Sequence, residues 1–276
     1  MAQKVAKKSL LVYSPAAQKL IELAIEQKLL HLLRAVQLAI HSYAGEKRKN
    51  GQDEVDHSVA VVWILWRWGI KKDEYLAAAM LHDLIESEKE TLEFIKIWFN
   101  DEIAEYVDCL TKRPDEKCDL VYEKQKEIFG FMNAYHYRMD KDWSQRFFLS
   151  DNRLELKKRL PKSYKLRRGQ CYDRIGKHVI CIIIKLADKI SIFGNMSYSL
   201  PIGNQVMQIA DYEVFLSPLC KQVRKTKKKY LEAMFAGRDE IEGLIKNVLY
   251  QIYLKVSLEQ YRKELAEHNK SDEALI

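Results

Sequence analysis

The stretch Ala77-Ala78-Ala79-Met80-Leu81-His82-Asp83-Leu84-Ile85-Glu86 constrains the fold more than any other, because it sets an adjacent imidazole and carboxylate inside an apolar, helix-forming run. Ionisable groups among Leu, Met and Ile must be paired, protonated or bound to something. On a helix, His82 and Glu86 stand four residues apart and Asp83 and Glu86 three apart, so all three lean toward one side. That leaves two readings: a satisfied His–carboxylate pair in a helical core, or part of a site.

The surrounding segments repeat the helical period. Ser14-Pro15 reads as an N-cap with proline at the first helical position, leading into Leu20, Ile21, Leu23 and Ala24. A second amphipathic stretch runs from Leu29 to Ala44 and breaks at the basic loop Gly45–Gly51, whose Arg48 and Lys49 are either plain surface charges or a phosphate hold. Asp53 to Trp68 reads as the next helix, with His57 near its start, and Asp73 opens the helix that carries His82-Asp83. Thr91 caps a helix over Leu92 to Phe99, and Ile103 to Leu110 adds another. Few stretches alternate with period two, and none is followed by a hairpin turn signal, so the fold class is all-α.

From Thr111 to His178 the pattern loosens. Helices are expected around 118–138, and the portion from Lys141 to Gly176, with Pro161 and the clusters Lys157-Lys158-Arg159 and Arg167-Arg168, reads as a long irregular insertion. Val179 to Phe193 is apolar enough to pass for a buried strand, but its length makes it a core helix with Asp188 embedded. Beyond Pro201, residues 206–218, 219–236 and 239–266 show helical spacing, with Gly237 dividing the last two. The final helix is expected to pack back on the domain; the alternative is pairing with another subunit in a homo-oligomer.

Composition excludes several classes. The 276 residues are 47% hydrophobic, enough for a sizeable core. A formal net charge of +7 suits anionic partners such as nucleotides, but it is spread too widely to signal nucleic acid. The cysteines (Cys109, Cys118, Cys171, Cys181 and Cys220) are odd in number and form no CxxC pair, which fits reduced thiols in the cytoplasm. No signal-peptide core stands at the N-terminus and no apolar run reaches ~18 residues, so no membrane insertion is expected.

His57, His82, Asp83 and Asp188 together make two imidazoles and two carboxylates, each set among apolar helical neighbours. Such a set suits a divalent cation of the Mn, Fe or Zn kind, which would acidify a bound water. Glu86, one turn beyond His82, would then orient that water or carry its proton.

In this order the residues resemble the HD-domain metal-dependent phosphohydrolases, and more specifically the hydrolase domain of RelA/SpoT-type alarmone enzymes. The matching segments are Ala39 to Gly51 followed by His57, Ala77 to Glu86, Asp101 to Lys112, Ile184-Lys-Leu-Ala-Asp188-Lys189, and Ile209-Ala210 with Pro218-Leu219. The resemblance implies an HD-type helical bundle over residues 28–200 with an insertion at about 113–177, preceded by a helical segment 1–27 and followed by a helical extension 201–276. It further implies that His57, His82, Asp83 and Asp188 bind Mn2+, that Arg48 with Lys49 steadies a nucleotide, and that Glu86 is the first member of a catalytic pair. The second member, an aspartate in the family, is Ser87 here, which cannot carry its charge. The family's asparagine four residues after Asp188 is Ile192, and Asn195 could supply a substitute contact. The implied activity is removal of pyrophosphate from the 3′ side of guanosine tetra- or pentaphosphate. Hydrolysis of another nucleotide, such as a (deoxy)nucleoside triphosphate, and nucleotide sensing with little turnover are the alternatives.

Overall fold

The structure is a computed structural model that describes residues 14–48, 51–116, 127–128, 150–196 and 202–273. Among these residues it is helical, and the only β-type pairing is an isolated bridge between Lys47 and Asp53. None of its described helices is long and apolar enough to cross a membrane.

Helix α1 (Pro15–Glu26) starts where the Ser14 side chain accepts from the Ala17 N–H at 3.1 Å, and it buries Ala17, Leu20 and Ala24 along one stripe. Helix α2 (Leu30–Ser42) lacks a capping side chain of its own. Its first N–H groups are taken instead by the carboxylate of Asp73, from His31 at 2.9 Å and Leu32 at 2.8 Å. Asp73 is also the first residue of α4 (Asp73–Leu81), so one side chain registers two helix starts against each other. Between them lies α3 (Val55–Arg67).

Leu76 to Leu81 are all buried, so α4 is apolar on every side and sits inside the bundle. Thr91 and Asn100 cap α5 (Leu92–Trp98) and α6 (Asp101–Leu110) through bonds of 3.1 Å from Phe94 and 2.8 Å from Ile103. Helix α9 (Val179–Gly194) is the central member; it buries nearly every residue and packs against α3 and α12 (Lys228–Glu273).

Three expectations change. The segment read as irregular from Lys141 holds two helices among its described residues, α7 (Ser150–Arg159) and α8 (Lys162–Ile175). Pro161 does not break them: it is the N-cap of α8, where a missing N–H costs nothing. Leu156, Leu160 and Tyr164 are buried across the junction of the two helices, apolar anchors that the surrounding lysines and arginines obscure. The helix expected around 118–138 lies outside the described residues, apart from 127 and 128.

Gly237 divides nothing, because α12 runs through it. A Cβ there would meet Trp68 at 2.7 Å, so the glycine marks a close approach within the helix rather than its end. The C-terminal helix therefore packs back, burying Ala233, Met234, Ile241, Ile245, Val248, Leu249 and Ile252. It is preceded by α10 (Ile202–Asp211), a π-helical turn Tyr212–Leu216 and α11 (Ser217–Gln222).

The third change concerns the opening motif. Helix α4 ends at Leu81, and residues 82–88 continue as successive turns that close with Glu88 at φ +58°. The Ser87 N–H still reaches the Asp83 carbonyl at 2.9 Å, so His82, Asp83 and Glu86 keep roughly helical spacing without belonging to a helix.

Candidate metal centre and its pocket

His57 stands in the first turn of α3, with Nδ1 2.9 Å from the Ser191 hydroxyl of α9. Its Nε2 lies 2.9 Å from Asp188 Oδ1 and 3.7 Å from Asp83 Oδ2. His82 donates from Nδ1 to the Ala79 carbonyl at 2.8 Å, which turns Nε2 toward the carboxylates. That nitrogen is buried without a hydrogen-bond partner, 3.2 Å from Asp83 Oδ1 and 3.7 Å from Asp188 Oδ1. Facing two carboxylates, that nitrogen calls for a positive charge, either its own proton or a bound cation.

Burial disfavours charging His82, yet Asp83 and Asp188 outweigh it and push the imidazole up to about 8. Burial also works against ionisation of Asp188, and Lys185, with Nζ 2.5 Å from its Oδ2, overrides it and holds the carboxyl well below its usual range. Ligand atoms of His57, His82 and Asp83 all lie within 4.8 Å of one another, and the donor set of imidazoles and carboxylates suits a divalent metal.

His57, Asp83 and Asp188 of this cluster line a pocket of about 180 Å³. Arg48, Glu86 and Lys112 stand along its side, with Arg48 paired to Glu54 at 2.9 Å and Lys112 to Glu86 at 2.6 Å. Further lining comes from α8, α9 and α10. There Asp211 accepts from the Tyr164 hydroxyl at 2.6 Å and pairs with Arg168 at 3.3 Å, with Lys189 at 3.7 Å. Burial pushes the Asp211 carboxyl up, and Arg168 with Lys189 more than reverses this, leaving it below the ordinary value.

The sequence-derived residues divide on inspection. His57, Asp83, Glu86, Asp188 and Arg48 line the pocket, and His82 is packed behind Asp83. Ser87 is exposed and takes a hydrogen bond from the Tyr43 hydroxyl at 3.4 Å, off the pocket wall. Asn195 caps α9 and turns back on it, donating to the Ser191 carbonyl at 3.0 Å, while Ile192 is the residue on the wall. Lys49 lies outside the described residues.

Lys112, Arg168, Lys189 and Asp211 went unassigned. Lys112 and Lys189 sat within matched segments, and Arg168 stands one helical turn from Tyr164. Asp211 carries no local mark beyond following the apolar pair Ile209-Ala210.

A family model described as HD domain matches residues 35–116, which include His57, His82 and Asp83. The chain is 26% identical over 255 residues to the Escherichia coli bifunctional (p)ppGpp synthase/hydrolase SpoT, covering 86% of this chain and 34% of that protein. It is 27% identical over 235 residues to a Haemophilus influenzae guanosine-3′,5′-bis(diphosphate) 3′-pyrophosphohydrolase, covering 80% and 33%. A shorter match, 37% identical over 79 residues, is to a probable GTP pyrophosphokinase of Mycobacterium leprae, covering 29% and 10%. The chain thus spans about a third of the length of the first two of these relatives.

Proposed function

We propose that this chain, whose residues 35–116 match an HD-domain model and which is similar over most of its length to RelA/SpoT-type hydrolases, is a metal-dependent phosphohydrolase that removes pyrophosphate from the 3′ side of guanosine tetra- or pentaphosphate. The carrying observation is the meeting of His57, His82, Asp83 and Asp188, with an orphaned His82 Nε2, at a cation-lined pocket. These four residues would hold the metal, Mn2+ by resemblance to the family. A bound divalent ion would supply Lewis acidity at the phosphoryl group and make a water more acidic.

The chain's own groups do the rest. Arg48, Lys185 and Lys189 set positive charge around a pocket where phosphate oxygens are otherwise poorly solvated. Glu86 accepts the proton of the attacking water. Ser191 and the Ala79 carbonyl hold the two imidazoles by their far nitrogens, so that Nε2 of each faces the cluster. We take residues 28–200 as the hydrolase domain and 201–276 as an extension packed on it. The described cysteines are free and buried, which suits a reducing cytoplasm.

Ile192 favours a second reading, hydrolysis of another nucleotide by the same centre, because the wall there offers no hydrogen bond to a base. Mn2+-loaded protein incubated with guanosine tetraphosphate, nucleoside triphosphates and deoxynucleotides separates the two by chromatography of products, with Asp83→Ala as control. Pyrophosphate released from the tetraphosphate and lost in the control is expected. Turnover of a different nucleotide moves the substrate, and silence across the panel refutes the enzyme.

A further inference from the structure

Glu86 stands on the turns 82–88 rather than on a helix, whereas His57 and Asp188 are helical. Its neighbour Ser87 brings no charge to the pocket and faces Tyr43. A group from another element holds Glu86: Lys112, one residue past the C-cap of α6, places Nζ 2.6 Å from Glu86 Oε1, and both side chains are about a quarter exposed on the pocket wall (24% and 22%).

The main chain of Lys112 is itself bracketed on both sides. Before it, the Thr111 carbonyl accepts from Arg174 of α8 at 2.9 Å, and the Thr111 hydroxyl donates to the Val107 carbonyl at 2.8 Å. After it, the Arg113 N–H donates to Glu116 Oε2 at 3.0 Å. Arg174 and Glu116 close the bracket on each other, with Nη2 2.7 Å from Oε2 and Glu116 only 2% exposed. Burying such a pair carries a desolvation cost that geometry, rather than net stability, has to justify. A lysine serving only as surface charge needs no bracket of this kind.

We infer that Lys112 is a positioning residue of the site: it acts through Glu86, holding the carboxylate toward the His57/His82/Asp83/Asp188 cluster, and α8 reaches the chemistry through the Arg174–Glu116 bracket. The inference rests on the hydrolase reading. In this chain, then, a cation from a different helix terminus helps to order Glu86, where the family resemblance led one to expect an adjacent carboxylate.

The test uses the full chain loaded with Mn2+, and whichever nucleotide the wild type turns over. Lys112→Met is expected to lower kcat between about 10- and 100-fold, with KM changed by less than about threefold, as for misplacement of a reacting group. Lys112→Arg restores most of the loss. Combining Lys112→Met with Glu86→Gln adds little to Glu86→Gln alone, because the lysine works through that carboxylate. Thermal melts and metal content of each variant identify any failure to fold.

An active wild type with an unaffected Lys112→Met kcat overturns this inference alone, as does a loss confined to KM or effects that multiply in the double variant. A wild type silent on every nucleotide overturns the hydrolase reading, and this assignment with it.

Discussion

Gly237 and Gly243 lie six residues apart in α12 and give a matched test of how that helix seats on the body. A Cβ at Gly237 would lie 2.7 Å from Trp68 Cη2, 3.1 Å from Cζ2 and 3.4 Å from Leu186 Cδ1, whereas nothing lies within 4 Å of one at Gly243. Alanine gains about 1 kcal/mol over glycine in a helix interior at either place. At Gly237 the gain is opposed by an indole edge well inside the roughly 3.5–4.0 Å of a comfortable carbon contact, and overpacking of this kind costs about 1–3 kcal/mol. Gly243→Ala should therefore stabilise by about 1 kcal/mol, while Gly237→Ala is neutral or destabilising by up to about 2 kcal/mol.

The assay is thermal unfolding, where 1 kcal/mol corresponds to roughly 2–4 °C in a chain of this size class. Trp68→Phe removes the offending edge, and in that background Gly237→Ala should gain as Gly243→Ala does. Equal stabilisation by the two alanines in the native background would refute the reasoning. Because Trp68 directly follows α3 and Leu186 stands two residues before Asp188, a displaced indole bears on both helices that supply buried groups to the cluster.

Two further outcomes are expected. Ser191→Ala removes the group that orients His57 Nδ1 and should weaken Mn2+ affinity by about 10- to 100-fold in calorimetric titration, with the melting temperature of the metal-free chain nearly unchanged. Glu116 and Asp211 hold their protons less tightly in the folded chain than when unfolded, because Arg174 and Arg168 override the opposing effect of burial. The unfolded state therefore binds more protons in acid. The stability these two groups contribute is whole above about pH 5 and drains as pH falls below the ordinary carboxylate range. Glu116→Gln should flatten that part of a denaturation-against-pH curve, and an unchanged slope would show that the bracket contributes nothing.

What could be read from the sequence follows how locally each feature is written. The stripes of α1, α2 and α3, the caps Ser14 and Thr91, and the run of α9 all lie within one turn or one period, and the sequence displays them directly. The cluster residues stood out because polar groups inside apolar runs demand an explanation. The Arg174–Glu116 bracket joins positions 58 apart and the Tyr164–Asp211 bond positions 47 apart, so neither leaves a local pattern. Gly237 misled because a glycine that ends a helix and one that admits a neighbouring ring are the same letter. The stop of α4 at Leu81 has no glycine or proline to announce it.

The hydrogen bond between His57 and Ser191 spans 134 positions, and the same closure brings Asp188 to His57. Shutting a loop of that size costs about 4 kcal/mol of chain entropy before any contact inside it is rewarded. The helices on either side form from near neighbours, but the site cannot exist in part. A nick or truncation that frees α9 from α3 would leave most of the helicity standing and dismantle the centre outright. Binding at this centre therefore reports on whether α3 and α9 have met, which helix content alone does not.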